Sequence, residues 1–88
     1  INPAAVGYVS AHATGTVLGD RAEAEATRVV FGDRASTSSL KGHFGHTLGA
    51  CGSLEALLAV LMMSEGRFAP TLNLHEVDPE CGAVDLIR

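Results

Sequence analysis

The sequence predicts an α/β fold in which short strands and helices alternate in the order strand, helix, strand, helix, strand. Three observations support this prediction. Residues 6–11 form a short apolar, β-branched run bounded by turn formers, a helical pattern follows Asp20, and a long apolar segment occupies residues 47–65. We therefore expect a layered arrangement with one buried central helix.

The composition excludes several classes of protein. The 88 residues are 47% hydrophobic and 18% charged, which is typical of a globular chain rather than a disordered one. The formal net charge of −4 and the scattered Lys and Arg residues argue against nucleic acid or an anionic membrane as the main partner. Two cysteines thirty positions apart indicate free thiols in a reducing compartment, so we expect a cytoplasmic location.

No targeting or spanning segment is predicted. The N-terminus lacks the basic region and apolar core of a signal peptide. The most apolar stretch, residues 54–63, contains Glu55 and is shorter than the roughly 20 residues that a membrane span needs.

The first helix is predicted to begin at Asp20 and to end at Gly32. Asp20 and Glu23 have the spacing of a reciprocal capping pair. Helical spacing also predicts which apolar residues face the core; they are Ala22, Ala26, Val29 and Val30.

The second helix is predicted over residues 47–65 and is apolar nearly all round, which is typical of a helix buried on every side. The "STSS" motif before it and residues 83–87 after it are the remaining candidate strands. Because these elements are too few to cover such a helix, we expect the chain to be one part of a larger domain.

Two histidines are candidate site residues. His12 follows the first strand directly, and ligand sites of α/β folds gather at the carboxyl ends of strands. His46 opens the second helix, where the helix dipole favours a neutral imidazole and negative charge on a neighbouring substrate. A neutral imidazole is a good oxyanion donor. The alternatives are that His12 only satisfies local hydrogen bonds and that His46 is only a capping residue.

Lys41 and Glu55 form a predicted pair. Lys41 lies in a glycine-flanked turn and is either solvated or, if buried, in need of an anionic partner. Glu55 is the charge inside the apolar helix and is the obvious candidate. Tight packing of the central helix explains the glycines at Gly49 and Gly52. It explains those at Gly42 and Gly45 less well.

Two other chemistries are disfavoured by spacing. Zinc-type ligands are present, but only the "HFGH" pair is suitably spaced among His43, His46, Cys51, His75 and Cys81. A metal site is therefore not expected. Cys51 and His46 lie five residues apart, about 140° around a helix, so we do not expect them to face each other as a nucleophile and base.

The motifs "YVSAHATGTVLGDRAEAEA", "SSLKGHFGHTLGACGSLEALLAV" and "PTLNL" occur in this order. Together they resemble the C-terminal half of the β-ketoacyl-acyl-carrier-protein synthases, condensing enzymes with the thiolase fold. The similarity covers about residues 6–74. It implies that the 88 residues form a partial C-terminal thiolase-like ketosynthase domain.

The resemblance also implies roles for individual residues. His12 and His46 would bind the malonyl thioester carbonyl and stabilise the enolate that forms when carbon dioxide leaves. Lys41 would set the electrostatics of the site together with Glu55. Thr14 and Thr16 would hydrogen-bond the phosphopantetheine arm of an acyl carrier protein, and no other cofactor is implied. A homodimer or heterodimer is expected of the full-length protein.

Three departures from the family pattern matter. Ala13 stands where the family often has glycine, and the connection "FGDRASTSSLK" is short. The nucleophilic cysteine and the "FGFGGTN"-like segment are also absent. We therefore expect the 88 residues alone to be inactive. The alternative function is a non-catalytic partner subunit of the chain-length-factor type.

Overall fold

The computed structural model describes residues 1–88 and has a mixed α/β architecture. Its strands and α-helices are β1 (Tyr8–Ser10), α1 (Val17–Phe31), β2 (Ser36–Ser38), α2 (Lys41–Phe44) and α3 (Cys51–Glu65). Three short 3-10 turns cover Pro3–Ala5, Leu48–Ala50 and Pro79–Cys81. The α/β class is confirmed, and the predicted order of elements holds as far as the second helical region.

The two strands are parallel and are joined by α1. Tyr8 lies opposite Ser36, and Ser10 lies opposite Ser38. The strand predicted over residues 83–87 is reduced to a single bridge between Thr37 and Leu86. Hydrogen bonds from Thr37 N–H to the Asp85 carbonyl (2.7 Å) and from Ile87 N–H to the Thr37 carbonyl (2.9 Å) hold it beside β2.

Helix α1 begins three residues earlier than predicted, with Thr16 in the N-cap position. The predicted capping pair is wrong, because both carboxylates bond the preceding loop instead. Asp20 accepts a hydrogen bond from Gly15 N–H (3.2 Å), and Glu23 accepts two from the loop that carries His12. The N–H groups of that loop need acceptors, and they bond the two carboxylates that a capping box would have used.

The predicted inner face of α1 is also wrong. Ala22 and Ala26 are exposed, and Val29 keeps 72% of its surface accessible. Thr27 is the buried residue of this helix, and Glu23 and Ala24 lie half-buried on the same side. The face with Glu23 and Thr27 turns inward, because the Glu23 carboxylate bonds the loop that precedes the helix.

Helix α3 is not buried within these 88 residues, which agrees with the expectation that the other elements are too few to cover it. Cys51 is its one buried residue, while Leu57, Val60 and Met63 are 59%, 64% and 69% exposed. The other elements are too few and too short to cover it. The exposed side chains form a continuous apolar surface of the kind that packs against further protein.

Length alone does not exclude a membrane span, contrary to prediction. Residues Leu48–Glu65 together form a helical segment that is long and apolar enough to cross a membrane, judged by length and composition only. Core helices of globular proteins pass the same test, so it is weak evidence. Glu55 within this segment is ion-paired to Lys41, which is the behaviour of a packed protein helix.

The small core is largely polar. Leu40 is the largest of the four buried apolar residues, and Ser38 is fully buried. The Ser38 hydroxyl lies 2.9 Å from the Tyr8 hydroxyl, and the Tyr8 ring stacks on Phe68 at a centroid distance of 4.3 Å. The Ser38 hydroxyl is thus satisfied by Tyr8, whereas the buried Ser10 hydroxyl on the same strand as Tyr8 has no hydrogen-bond partner within the chain.

Helix α2 packs against the segment that follows α3, and Gly42 makes this contact possible. A Cβ atom at Gly42 would lie 2.8 Å from the Leu72 carbonyl oxygen. Gly49 and Gly52, by contrast, have no atom within 4 Å of an added Cβ. Within these 88 residues, tight packing therefore explains Gly42, and it does not explain Gly49 or Gly52.

We predict that Gly42→Ala destabilises the fold by about 1–3 kcal/mol, because backbone rather than a flexible side chain would have to move. Denaturant unfolding measures the loss. Gly7→Ala is the matched control, since no atom lies within 4 Å of its added Cβ. Equal stability of the two variants would contradict the close approach.

An exposed ion pair joins α1 to the turn at residues 79–81. Arg21 donates from Nε (3.1 Å) and Nη2 (3.0 Å) to Asp78 Oδ2, while the Glu80 N–H donates to Asp78 Oδ1 (2.9 Å). The Glu80 N–H, followed by Arg21, lowers the pKa of Asp78 from its ordinary value of 3.8. A lowered pKa means that this contact stabilises the fold above pH 3.8 and is lost as pH falls through the folded-state pKa.

We predict that Arg21→Gln moves the NMR titration midpoint of the Asp78 carboxyl upward, because the second of its two stabilising partners is removed. The midpoint should stay below 3.8, since the Glu80 N–H remains. Arg67→Gln is the control, because Arg67 approaches Glu65 and not Asp78. An unchanged midpoint in Arg21→Gln would refute the role of this pair.

Candidate active site

The loop after β1 presents His12 and is held by a carboxylate of α1. Glu23 Oε1 accepts from His12 N–H and Glu23 Oε2 accepts from Ala13 N–H, both at 2.7 Å. This role of Glu23 is not among the sequence predictions. Its signal in the sequence is a carboxylate in the first turns of the helix that follows a Thr-rich loop. Ala13 has φ +30°, a left-handed conformation that favours glycine, so its methyl group is accommodated in a strained backbone.

His46 lies in the turn between α2 and α3 rather than in the helix itself. Gly45 (φ +84°) and Leu48 (φ +53°) both adopt positive φ, which folds the chain back on itself. The Leu48 N–H donates to His46 Nδ1 at 3.1 Å. Nδ1 must therefore carry the lone pair, and a neutral His46 carries its hydrogen on Nε2.

The structure brings the two histidines together. The ring centroids of His12 and His46 lie 5.2 Å apart, with the planes at 88°. Both residues are exposed, and the His12 ring makes no hydrogen bond within the chain. Two imidazoles with free donor atoms thus share one face of the molecule, although 34 positions separate them in sequence.

Lys41 is buried and paired with Glu55. The Lys41 ammonium forms an ion pair with Glu55 Oε1, and the two side chains are 6% and 14% exposed. Lys41 lies in the first turn of α2 and Glu55 in α3, so the pair ties the two helices together across the His46 turn. The solvated alternative for Lys41 is excluded by this geometry.

An open cleft of about 430 Å³ borders this cluster. Its walls come from the His12 loop, the α2–α3 turn and the segment after α3; the polar or charged residues among them are Thr14, Asp20, Ser39, Lys41, His46, Thr71 and Asn73. The Thr14 hydroxyl lies 3.3 Å from that of Thr16, and both threonines are exposed. Thr16 itself lines a neighbouring cavity beneath α1.

The expectation that Cys51 and His46 do not face each other is wrong. Cys51 Sγ lies 3.0 Å from His46 Nδ1. The helical spacing argument fails because residues 45–50 do not form an α-helix. Proton transfer from the thiol to Nδ1 would nevertheless direct the new N–H at the Leu48 N–H, so the contact does not make a nucleophile–base pair.

The remaining histidine of the "HFGH" motif has a structural role. His43 Nε2 lies 2.9 Å from the Pro70 carbonyl, and since a carbonyl only accepts, Nε2–H donates. This bond anchors α2 to the segment after α3. No group of three or more His, Cys, Asp or Glu residues is arranged to hold a metal ion.

We predict that Lys41→Met destabilises the protein by about 3 kcal/mol, because Glu55 is left as a buried unpaired charge. The double variant Lys41→Met with Glu55→Leu removes both charges and should recover most of that loss. Urea unfolding of the two variants measures the difference. A single variant as stable as the double variant would contradict burial of the pair.

Comparison with known proteins identifies the family. Residues 1–75 match the family model described as "Beta-ketoacyl synthase, C-terminal domain". The chain is 40% identical over 81 residues to 3-oxoacyl-[acyl-carrier-protein] synthase 2 of Mycobacterium leprae (strain TN), covering 91% of this chain and 19% of the relative. The chain thus spans about a fifth of the length of the curated relatives it matches.

Solved structures agree with this assignment. A β-ketoacyl synthase from Burkholderia phymatum STM815 superposes with a TM-score of 0.97 at 53% identity, over all of this chain and 22% of that one. The ishigamide ketosynthase/chain length factor superposes with a TM-score of 0.86 at 36% identity, over 93% of this chain and 20% of that one. The chain, with its thiolase-like fold and its paired histidines, therefore belongs to the β-ketoacyl synthase family, whose C-terminal domain it matches.

Proposed function

We propose that this chain supplies the extender-binding site of a β-ketoacyl-acyl-carrier-protein synthase of fatty acid or polyketide biosynthesis. The observation that carries the proposal is the edge-to-face contact of the His12 and His46 imidazoles, with ring centroids 5.2 Å apart, beside the buried ion pair of Lys41 with Glu55. Donors in this arrangement suit an oxygen on which negative charge develops. Membership of the family supports the same reaction.

The proposed chemistry is a decarboxylative Claisen condensation. His46, through Nε2–H, and His12 hold the carbonyl oxygen of the malonyl thioester. The carbon–carbon bond to the carboxylate breaks and carbon dioxide leaves. The electron pair of the broken bond stays with the thioester and forms an enolate, whose oxygen the histidines stabilise. The enolate carbon then attacks an acyl thioester held on a cysteine outside these 88 residues, and that cysteine leaves as a thiolate.

The surrounding residues have supporting roles in the proposal. Lys41 and Glu55 fix the turn that carries His46, because their ion pair joins α2 to α3 on either side of it. Thr14 and Thr16 offer exposed hydroxyls to the phosphopantetheine arm of an acyl carrier protein, which is the proposed partner. No further cofactor enters the scheme.

The exposed face of α3 fits the same proposal. Its apolar side chains are those that the remaining part of a ketosynthase would cover, and the chain spans about a fifth of such proteins. We accordingly place the activity in a full-length, dimeric, cytoplasmic enzyme and expect none from the 88 residues alone.

We predict that His12→Ala and His46→Ala each lower carbon dioxide release from malonyl-acyl-carrier protein by about 100-fold or more in the full-length enzyme, because each removes an oxyanion donor. Labelled carbon dioxide measures the rate. His75→Ala is the matched control, since His75 is exposed and outside the cleft. Full activity in both site variants would end the proposal.

The second candidate is a non-catalytic partner subunit of the chain-length-factor type, favoured by the likeness to the ishigamide ketosynthase/chain length factor. Retention of His12, Lys41 and His46 favours the enzyme. A full-length protein that releases no carbon dioxide alone, yet alters product length when mixed with an active ketosynthase, would decide for the partner subunit.

A further inference from the structure

The first residue of α3 contacts the site through a buried thiol. Cys51 is 6% exposed, and its Sγ lies 3.0 Å from His46 Nδ1. We propose that Cys51 is a positioning residue that holds the His46 ring in the tautomer with hydrogen on Nε2. This inference rests on the proposed function, because that tautomer is the one that donates to the thioester oxygen.

The direction of the contact follows from the other hydrogen bonds. Leu48 N–H points at Nδ1 (3.1 Å), so Nδ1 is an acceptor and the hydrogen between sulfur and nitrogen belongs to the thiol. The Thr47 hydroxyl donates to Cys51 Sγ at 3.5 Å. The Thr47 hydroxyl thus donates to the thiol, and the thiol donates to Nδ1 of the imidazole.

Two donors on Nδ1 stabilise one state of the ring. Nδ1 has one in-plane lone pair, which the two donors share in a bifurcated arrangement, whereas the imidazolium and the opposite tautomer place a hydrogen there and lose both bonds. Cys51 therefore adds to the Leu48 N–H in holding the hydrogen of the neutral ring on Nε2. The thiol is a weak donor, so its share is modest.

Other charged and titratable groups also face His46. The His12 ring approaches it edge to face from the loop after β1, and two groups line the same cleft from α1 and α2. These are Asp20 and Lys41, the latter neutralised by Glu55 of α3. None of them touches Nδ1, so a change at Cys51 alters the donors on that atom without altering these charges.

The test is a histidine NMR measurement on the full-length protein with ¹⁵N-labelled histidine, in which His46 is assigned by its loss in His46→Gln. In Cys51→Ala, the ratio of protonated to neutral His46 at pH 6.5 should rise about two- to fivefold. Cys51→Ser keeps a donor and should restore the ratio. Cys81→Ala, at the other cysteine, is the control and should leave it unchanged.

Carbon dioxide release gives the functional readout. The acid limb of its rate–pH profile should move to higher pH in Cys51→Ala, so that the proton concentration at its midpoint falls by the same two- to fivefold factor. The limb should return to its original position in Cys51→Ser. An unchanged His46 ratio in a folded Cys51→Ala protein, or a Cys51→Ser protein that behaves like Cys51→Ala, would overturn the inference. A shifted ratio in a protein that releases no carbon dioxide would support the role of Cys51 and overturn the proposed function instead.

Discussion

The buried ion pair between Lys41 and Glu55 is the interaction on which the site depends. It closes the segment between α2 and α3 at both ends, so that the irregular turn carrying His46 is held between two charges that cannot separate without being left unpaired. Tying the two helices to each other fixes a segment in which two residues adopt left-handed backbone conformations. The main role of the pair is therefore to hold α2 and α3 together around the His46 turn.

A carboxylate performs the corresponding task for the other histidine. Glu23 holds the backbone N–H groups of His12 and Ala13, and the strained conformation of Ala13 persists because both bonds are made. Glu23 therefore holds the backbone of His12 directly, whereas Glu55 acts on the His46 turn through Lys41. The rings meet because their two loops are fixed independently and side by side.

The fold class was predictable because strand and helix periodicities are local properties, and the order of elements followed from them. The inner face of α1 and the burial of α3 were not predictable in the same way. Val29 and Leu57 have the pattern of core residues, yet burial depends on what covers them, and nothing within these 88 residues does. Apolar periodicity indicates that a helix face can be buried. Whether the face is buried depends on the segments that pack against it.

The sequence by itself determined the family, the α/β class and the choice of His12, Lys41, His46 and Glu55 as residues to consider, because motifs and their order are written in the chain. Only the tertiary structure decided how those residues touch. The contact of Cys51 with His46 arises because residues 45–50 leave α-helix geometry, whereas the Glu23 clamp and the close approach of Gly42 to Leu72 join segments that are distant in sequence. Spacing rules assume that geometry, so they fail where positive φ angles turn the chain.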